Sequence, residues 1–424
     1  MSILDNLVER ARKSKLMKKI YLKVFSPYVD LHVRELSLTF DLQPAKYEAK
    51  RLNLLVPSIS REHVFGGIAT AIDYFNRIAE AGGFQKRIII INAEPGDEEI
   101  RQYFPGYRVA VCGEESPAEQ QILPCRQGRL SIPVGREDLF FATAWWTAYC
   151  AQKMAAWQAA YYQNDLQPIL YLIQDYEPGF YPWSSEYLLA ESTYKYAGPQ
   201  IALFNTKLLK TFFNRQGYCF THEFYFEPGI NAQLLQYKKV LDLTRKKKQI
   251  LIYGRPSTPR NAFPLIVESL KVWSKLQPDA AEWKLLSVGE KHRDLDVGNG
   301  VTLKSLGKLS LADYARLLAE SRVGLSLMVS PHPSYPPLEM AEYGLHVVTN
   351  SFQAKDLSSY YANIISLKKF MPDDIAAALE QATRKEPLSG GIKVKDADSG
   401  GGEEGLIAGI VRSLTSQKAG NKDS

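Results

Sequence analysis

One pattern constrains the fold more than any other: short, continuous apolar runs, each followed by a segment with helical spacing, in two successive series. In the first series the runs are RLNLLVPS (51–58), RIIIINAE (87–94), RVAVCG (108–113), DLFFAT (138–143), PILYLIQD (168–175) and IALFNT (201–206). A run that is apolar at every position has no face for water. Such strands are buried on both sides, as in a parallel sheet covered by helices. Gly66 and Gly67 open an amphipathic helix reaching to about Ala81, Thr143 is placed to cap the next helix, and a further helix lies near 184–196.

The charge run RKKK (245–248) interrupts the pattern and reads as a linker or domain edge, after which the alternation restarts. The expected strands of the second series are 249–253, 283–288, 301–306, 323–329, 346–350 and 364–367, with helices beginning near Phe263, Ser310, Pro336, Asp356 and Asp373. Two such series predict an α/β protein of two Rossmann-like, doubly wound domains facing a central cleft. The expected division is a basic extension at 1–50, a first domain at 51–245, a second at 246–390, and a flexible tail at 391–424. That tail holds the low-complexity stretch DADSGGGEEG and a short helix at 406–416.

The chain has 424 residues, enough for two cores of this kind. Its four cysteines, Cys112, Cys125, Cys150 and Cys219, are far apart and form no CxxC pair, so neither a zinc site nor a disulfide framework is expected. The net charge of +6 is spread along the chain, and no nucleic-acid-binding motif accompanies it. One cluster stands out, from Arg10 to Lys23, where seven basic residues interleave with apolar ones. As a helix it can lie on an anionic membrane or pack on its own domain. With no secretory signal and no apolar run of membrane-spanning length, the expected location is the cytoplasm, with peripheral contact at the inner face of the cell membrane.

Chemistry concentrates where strands end. Gly254-Arg255 follows a buried run directly, and Arg260 comes five residues later. A loop beyond a strand's carboxyl end faces the ligand crevice, and two guanidiniums there can clamp a diphosphate. Taken alone, the same residues also fit ordinary surface charges. The segment SYPPLEMAEYG (334–344) reads as a helix started by Pro336-Pro337, its positive end toward the crevice. Glu339, expected in the first turn, can accept both hydroxyls of a ribose or simply complement the helix dipole.

In the first series, QDYEPGFYPW follows the run 168–173. Gln174, Asp175 and Glu177 can bind sugar hydroxyls, and Tyr176, Phe180, Tyr181 and Trp183 can stack on a pyranose or pack between domains. Trp145-Trp146 reads as core. The DLD at 294–296 is set aside as a metal site, since it lies in a charged loop away from the other elements. His332 is the one histidine near the crevice residues, with either a ligand-facing or a structural role.

In order and spacing, YGRPSTPRN, LGKLSLADYARLLAESRVGLSLMVS and SYPPLEMAEYGLHVVTN resemble the C-terminal half of retaining GT-B glycosyltransferases. The resemblance implies that Arg255 and Arg260 hold the donor diphosphate, that Lys308 and Leu309 lie beside the base, and that Glu339 holds the ribose. Ser334 and Tyr335 fall among the donor contacts. The usual pair of glutamates is incomplete: the first position is Pro331, which puts a common hexose donor in doubt. With LLVPSI, FGGIATAI, FATAWWTAY, QDYEPGFYPWSSEYLLAEST and YFEPGIN, the chain is similar to the WsaF-type rhamnosyltransferases over about residues 53–350.

That family implies dTDP-L-rhamnose as co-substrate, no metal or other cofactor, a glycan or lipid-linked glycan acceptor, and retention of configuration. Gly66 and Gly67 would approach the donor. Asp175, Glu177 and Arg255 would act at the reaction centre, and Gln174, Tyr181 and Trp183 would meet the acceptor. The alternatives are a degenerate GT-B protein that binds glycan without transfer, and a sugar-nucleotide epimerase of the same fold.

Overall fold

The computed structural model describes residues 33, 36, 39–59, 67–92, 100, 104–110, 115, 120–124, 129–227, 229–394 and 403–416. The basic segment from Arg10 to Lys23 and Gly66 lie outside the described residues.

The first unit is built on an eight-stranded sheet. Its strands are β2 (Arg51–Val56), β3 (Gln85–Ile90), β4 (Arg108–Val109), β5 (Gln120–Pro124), β7 (Asp138–Ala142), β8 (Ile169–Ile173), β9 (Gln200–Phe204) and β10 (His222–Tyr225). They run in the order β10-β9-β8-β7-β2-β3-β5-β4, and every pairing is parallel. β2, β7, β8 and β9 are buried at every position, as their mostly apolar runs lead one to expect. A separate parallel pair joins β1 (Thr39–Pro44) to β6 (Arg129–Val134). Neither β1, β5, β6 nor β10 was expected.

Helices α1 (Gly67–Gly82), α2 (Trp145–Tyr162), α3 (Ser185–Tyr194) and α4 (Lys207–Arg215) connect the strands. Ser184 and Thr206 cap α3 and α4. Thr143 does not cap α2: its hydroxyl donates to Leu55 O, while Thr147 Oγ1 accepts from Thr143 N and Ala144 N at 2.8 and 2.9 Å. Trp145 is fully buried, as read from the sequence, and Trp146 is half-buried with its Nε1 on Asn92.

A buried charge cluster holds β2, β3 and β7 together. Asp138 accepts from Arg51 Nε at 2.9 Å and from Arg87 Nη2 at 2.9 Å, and Arg87 Nε also donates to Asn53. Burial, reinforced by Arg51, pulls Arg87 down to about 9.

The second unit has seven strands in the order β13-β14-β12-β11-β15-β16-β17. They are β11 (Lys247–Gly254), β12 (Lys284–Gly289), β13 (Leu295–Asp296), β14 (Thr302–Gly307), β15 (Ser321–Leu325), β16 (His346–Asn350) and β17 (Ile364–Leu367). All pairings are parallel except the short edge strand β13. Both sheets change direction of strand order at their first strand, β2 and β11, which creates a crevice beyond the carboxyl ends of the strands.

Between the units, α5 (Ala232–Val240) puts Leu234 into a core cluster of the second unit, and Tyr343 Oη donates to Leu234 O at 2.6 Å. In the charge run after it Arg245, Lys247 and Lys248 are exposed, and Lys246 alone is drawn in. Lys246 Nζ donates to Leu318 O and Tyr343 O, and burial lowers its amine to about 7.

The second unit's helices are α6 (Phe263–Leu276), α7 (Leu311–Glu320), α8 (Tyr335–Glu342) and α9 (Pro372–Arg384). Only a single 3-10 turn, Leu357–Ser359, forms near Asp356. The last helix, α10 (Glu403–Thr415), is packed and not loose. Its Ile407, Ile410 and Leu414 enter the core of the first unit beside α1.

Candidate functional site

The loop after β11 carries Arg255 and Arg260, and the fold pins it firmly. Asn261, fully buried, accepts from Arg255 N at 2.7 Å and donates to Leu327 O at 3.0 Å, while Val329 N donates to Arg260 O at 2.7 Å. The loop after β11 is thereby tied to the loop after β15. Sequence reasoning missed Asn261, although its place directly after Arg260 was the available signal. Arg255 is exposed, and its side chain lies over Gly289. Arg260 is half-buried, its guanidinium 4.2 Å from the centre of the Phe180 ring.

From the first unit, the end of β8 delivers Gln174 and Asp175. A Cβ on Gly67 would meet the end of the Gln174 side chain, so the start of α1 lies directly against this loop. Asp175 crosses to the second unit. Its Oδ1 accepts from Ser330 Oγ and from Tyr176 N at 2.8 Å, and its Oδ2 lies 3.8 Å from Arg260 Nε. That last separation makes an ion pair without a hydrogen bond.

Around Asp175 the second unit supplies further groups that the sequence reading passed over or left open. Lys355 is 1% exposed, donates to Met328 O at 2.7 Å, and is pushed down to about 7 by burial, against the pull of Asp175. Asn350 braces the same loop through Met328 N and O. His332 Nδ1 accepts from Ser334 N at 3.0 Å, which puts the ring proton on Nε2, and burial holds its pKa at about 4.

His332 Nε2 and Arg260 Nε are both buried and have no hydrogen-bond partner among the described residues. Two buried N–H donors left open beside one carboxylate form a place that calls for oxygen acceptors.

Glu177, two residues beyond Asp175, is turned the other way, which corrects its expected place at the reaction centre. Its Oε2 accepts from Trp145 N at 2.5 Å, at the start of α2, and from Tyr171 Oη at 3.2 Å. Burial raises its carboxyl to about 8. These contacts make Glu177 an internal brace of the Asp175 loop. Tyr181 accepts from Trp145 Nε1 at 3.0 Å. Trp183, by contrast, is 96% exposed. Tyr176 turns inward, packing on Phe212 and Phe213.

At the second unit's helix, α8 begins at Tyr335, so Glu339 falls in its second turn and not in the first. The helix starts one residue before the proline pair, and that shift moves the carboxylate. Glu339 Oε2 accepts from Tyr314 Oη at 3.1 Å, and burial raises its carboxyl to about 7. Ser334, which precedes the helix, has φ 67° and ψ 142°, close to a region used almost solely by glycine. Tyr335 stacks at a tilt on His332, 5.7 Å between ring centres. Lys308 is exposed after β14, and Leu309 packs in the cluster that contains Tyr253 and Tyr314.

The two carboxylates of DLD are spent on backbone: Asp294 accepts from Ser305 N and Asp296 from Gly298 N, each at 2.8 Å. Among the described residues no helix is long and apolar enough to cross a membrane.

Comparison with known proteins gives the arrangement a family. Residues 51–207 match the WsaF N-terminal domain and residues 248–380 the WsaF C-terminal domain, together more than half of the chain. The chain is similar to the O-antigen biosynthesis protein RfbC of Myxococcus xanthus, 28% identical over 349 residues, which is 81% of this chain and 25% of that protein. It thus spans about a quarter of that relative's length.

Among solved structures it is similar to sucrose-phosphate synthase from Thermosynechococcus elongatus (TM-score 0.47, 14% identity, 78% of this chain and 89% of that one). It is also similar to an alpha,alpha-trehalose-phosphate synthase (UDP-forming) from Burkholderia vietnamiensis (TM-score 0.48, 11% identity, 87% and 96%). With both domains matched in order on two parallel α/β sheets, the chain belongs to the WsaF family.

Proposed function

We propose that this protein transfers L-rhamnose from dTDP-L-rhamnose to a growing surface glycan, with retention of configuration and without a metal or other cofactor. The observation that carries the reading is the pair of open donors, Arg260 Nε and His332 Nε2, beside Asp175. Arg255 and Arg260 sit on one loop that Asn261 holds against the loop after β15. A diphosphate between these guanidiniums would be stabilised as negative charge builds on it, each cation contributing about 3 kcal/mol to the transition state. Glu339, ionised, accepts the single 3′-hydroxyl of the deoxyribose, and Lys308 and Leu309 flank the base.

The sugar end favours rhamnose over a common hexose because Pro331 stands where the family pattern has a glutamate for sugar hydroxyls. Two neutral or weakly polar groups, Pro331 and His332, suit a 6-deoxy sugar better than a carboxylate would. Asp175 is the one carboxylate of the first unit's loop that reaches the crevice groups. Glu177 is held inward by Trp145 and Tyr171, so departure and attack on one face is the route proposed for retention. The M. xanthus relative, named for O-antigen biosynthesis, agrees with a surface polysaccharide as acceptor.

The test is turnover of dTDP-L-rhamnose by the wild type, Arg255→Ala and Glu339→Ala. Each variant should lose at least tenfold in nucleotide affinity. If both bind dTDP as the wild type does, the site is misplaced.

A further inference from the structure

A second cavity lies on the first unit, behind the Asp175 loop, with a volume of about 350 Å³. Its wall is a relay of phenol groups. Tyr176 Oη is 3.2 Å from Tyr187 Oη and 3.1 Å from Tyr218 Oη, and Tyr218 donates to Glu191 Oε1 at 3.0 Å. Lys195 closes the relay on Glu191 Oε2 at 2.9 Å. At the other end of α3, Trp183 stacks on Tyr187, ring centres 6.4 Å apart and planes 30° apart, with 96% of its surface open to water. Tyr218 and Tyr176 back this assembly onto the core of the first unit, whereas Tyr187 and Trp183 lie outside it.

The chemistry selects the ligand. The single ammonium is neutralised by the single carboxylate, so the cavity offers no surplus cation for a phosphate or a nucleotide. α3 carries Glu186 and Glu191 and gathers no apolar stripe, so it lacks the face of a membrane-embedded helix. What remains is flat aromatic surface beside hydroxyls able to donate and accept, ending on a carboxylate. A neutral sugar matches that combination, with C–H faces for the rings and hydroxyls for the relay. The volume is at the lower end of small-molecule pockets and suits one or two sugar residues.

We infer that this cavity and the Trp183–Tyr187 platform bind a neutral stretch of the acceptor glycan away from its reacting end. The inference rests on the glycan-acceptor reading above and extends it to a second site. The two sites share a joint: Tyr176 lines the cavity while its backbone N–H donates to Asp175 Oδ1. A glycan seated there settles the loop that presents Asp175.

The experiment uses the full chain with saturating dTDP and an array of linear neutral oligosaccharides of two to six residues, covering rhamnans, glucans, galactans and mannans. Wild type, Glu191→Gln, Tyr218→Phe and Trp183→Ala are compared, and dTDP affinity is measured in parallel. At least one oligosaccharide series should bind the wild type. Its affinity should fall tenfold or more in Glu191→Gln and Trp183→Ala, with dTDP affinity within twofold.

Retention of no oligosaccharide, or equal retention by all variants, overturns the inference even where dTDP binds. So does a Trp183-dependent association with anionic vesicles in place of glycan. Failure of dTDP to bind, with oligosaccharide binding still dependent on Glu191 and Trp183, overturns the donor reading and leaves this one standing.

Discussion

The two rims of the crevice are built from opposite materials. The second unit contributes cations and open N–H donors: Arg255, Arg260, Lys355 and the Nε2 of His332. The first unit contributes aromatic faces and one reaching carboxylate, Asp175, on the loop that ends with Trp183. In a nucleotide-sugar transferase the first set suits the leaving diphosphate and the second the sugar and the acceptor. The rims meet at Asp175, whose Oδ2 lies 3.8 Å from Arg260 Nε. On the proposed function, a diphosphate arriving at Arg260 would compete with that carboxylate and free it. The asymmetry would then link donor binding to the state of the acceptor side.

The largest effect is expected where the rims meet. Asp175→Asn should lower transfer by at least a hundredfold, about 3 kcal/mol, while nucleotide affinity stays level or rises, because the competitor for Arg260 has lost its charge. A parallel loss of both affinity and turnover would place Asp175 in donor binding and erase the contrast. Next, Arg260→Ala should weaken dTDP binding by about a hundredfold, in line with loss of a charge-assisted contact of about 3 kcal/mol. Calorimetry with dTDP reads this directly.

Glu339 sharpens the comparison through pH. Burial raises its carboxyl to about 7, so it is protonated below that value in the free protein. The ionised carboxylate accepts the 3′-hydroxyl of the deoxyribose as a charge-assisted hydrogen bond, which the protonated form cannot match. dTDP affinity should therefore rise about fivefold from pH 6 to pH 7 and level off above it. In Glu339→Gln that step should be absent.

The smallest functional effect is expected at Glu177. Its folded pKa of about 8 lies above the unfolded value, so the folded state holds a proton that the unfolded state has lost. Stability from this group falls as pH rises from about 4.3 toward 8, and the penalty is complete above that. Glu177→Gln keeps an acceptor for Trp145 N and Tyr171 Oη without the charge. It should unfold at a higher temperature than the wild type at pH 8 and at a similar one at pH 5, with transfer within about twofold. A hundredfold loss of transfer would return Glu177 to the reaction centre.

The alternation of apolar runs made the two sheets legible, because strands buried on both faces are mostly apolar: β8 is so throughout, while β2 and β16 keep their few polar side chains buried and hydrogen-bonded. The strands that escaped are short, like β13, or marked by mixed composition, like β6 in GRLSIPV and β10 in HEFY. Their pairing is decided by neighbours and not by their own pattern. The place of Arg255 and Arg260 beyond a buried strand was readable, whereas the turn that carries Glu339 was not, because the helix starts at Tyr335, ahead of the proline pair.

The direction of a side chain was not readable. Asp175 and Glu177 look equivalent in QDYEPG, but the 3-10 turn Glu177–Phe180 points one carboxylate to the other unit and the other toward α2. Nor could local sequence show that Asn261 ties two loops together, since its partner Leu327 is 66 residues away. The packing of α10 on the first unit was hidden for the same reason: its partner surface is formed by α1 and β10, far back in the chain.

The central claim, that the crevice is a donor site for dTDP-L-rhamnose, is tested most directly by thermal denaturation with a series of nucleotide sugars. dTDP-L-rhamnose should raise the unfolding temperature more than UDP-glucose, UDP-N-acetylglucosamine or GDP-mannose at equal concentration, and the shift should vanish in Arg260→Ala. Greater stabilisation by a UDP- or GDP-sugar would contradict the account.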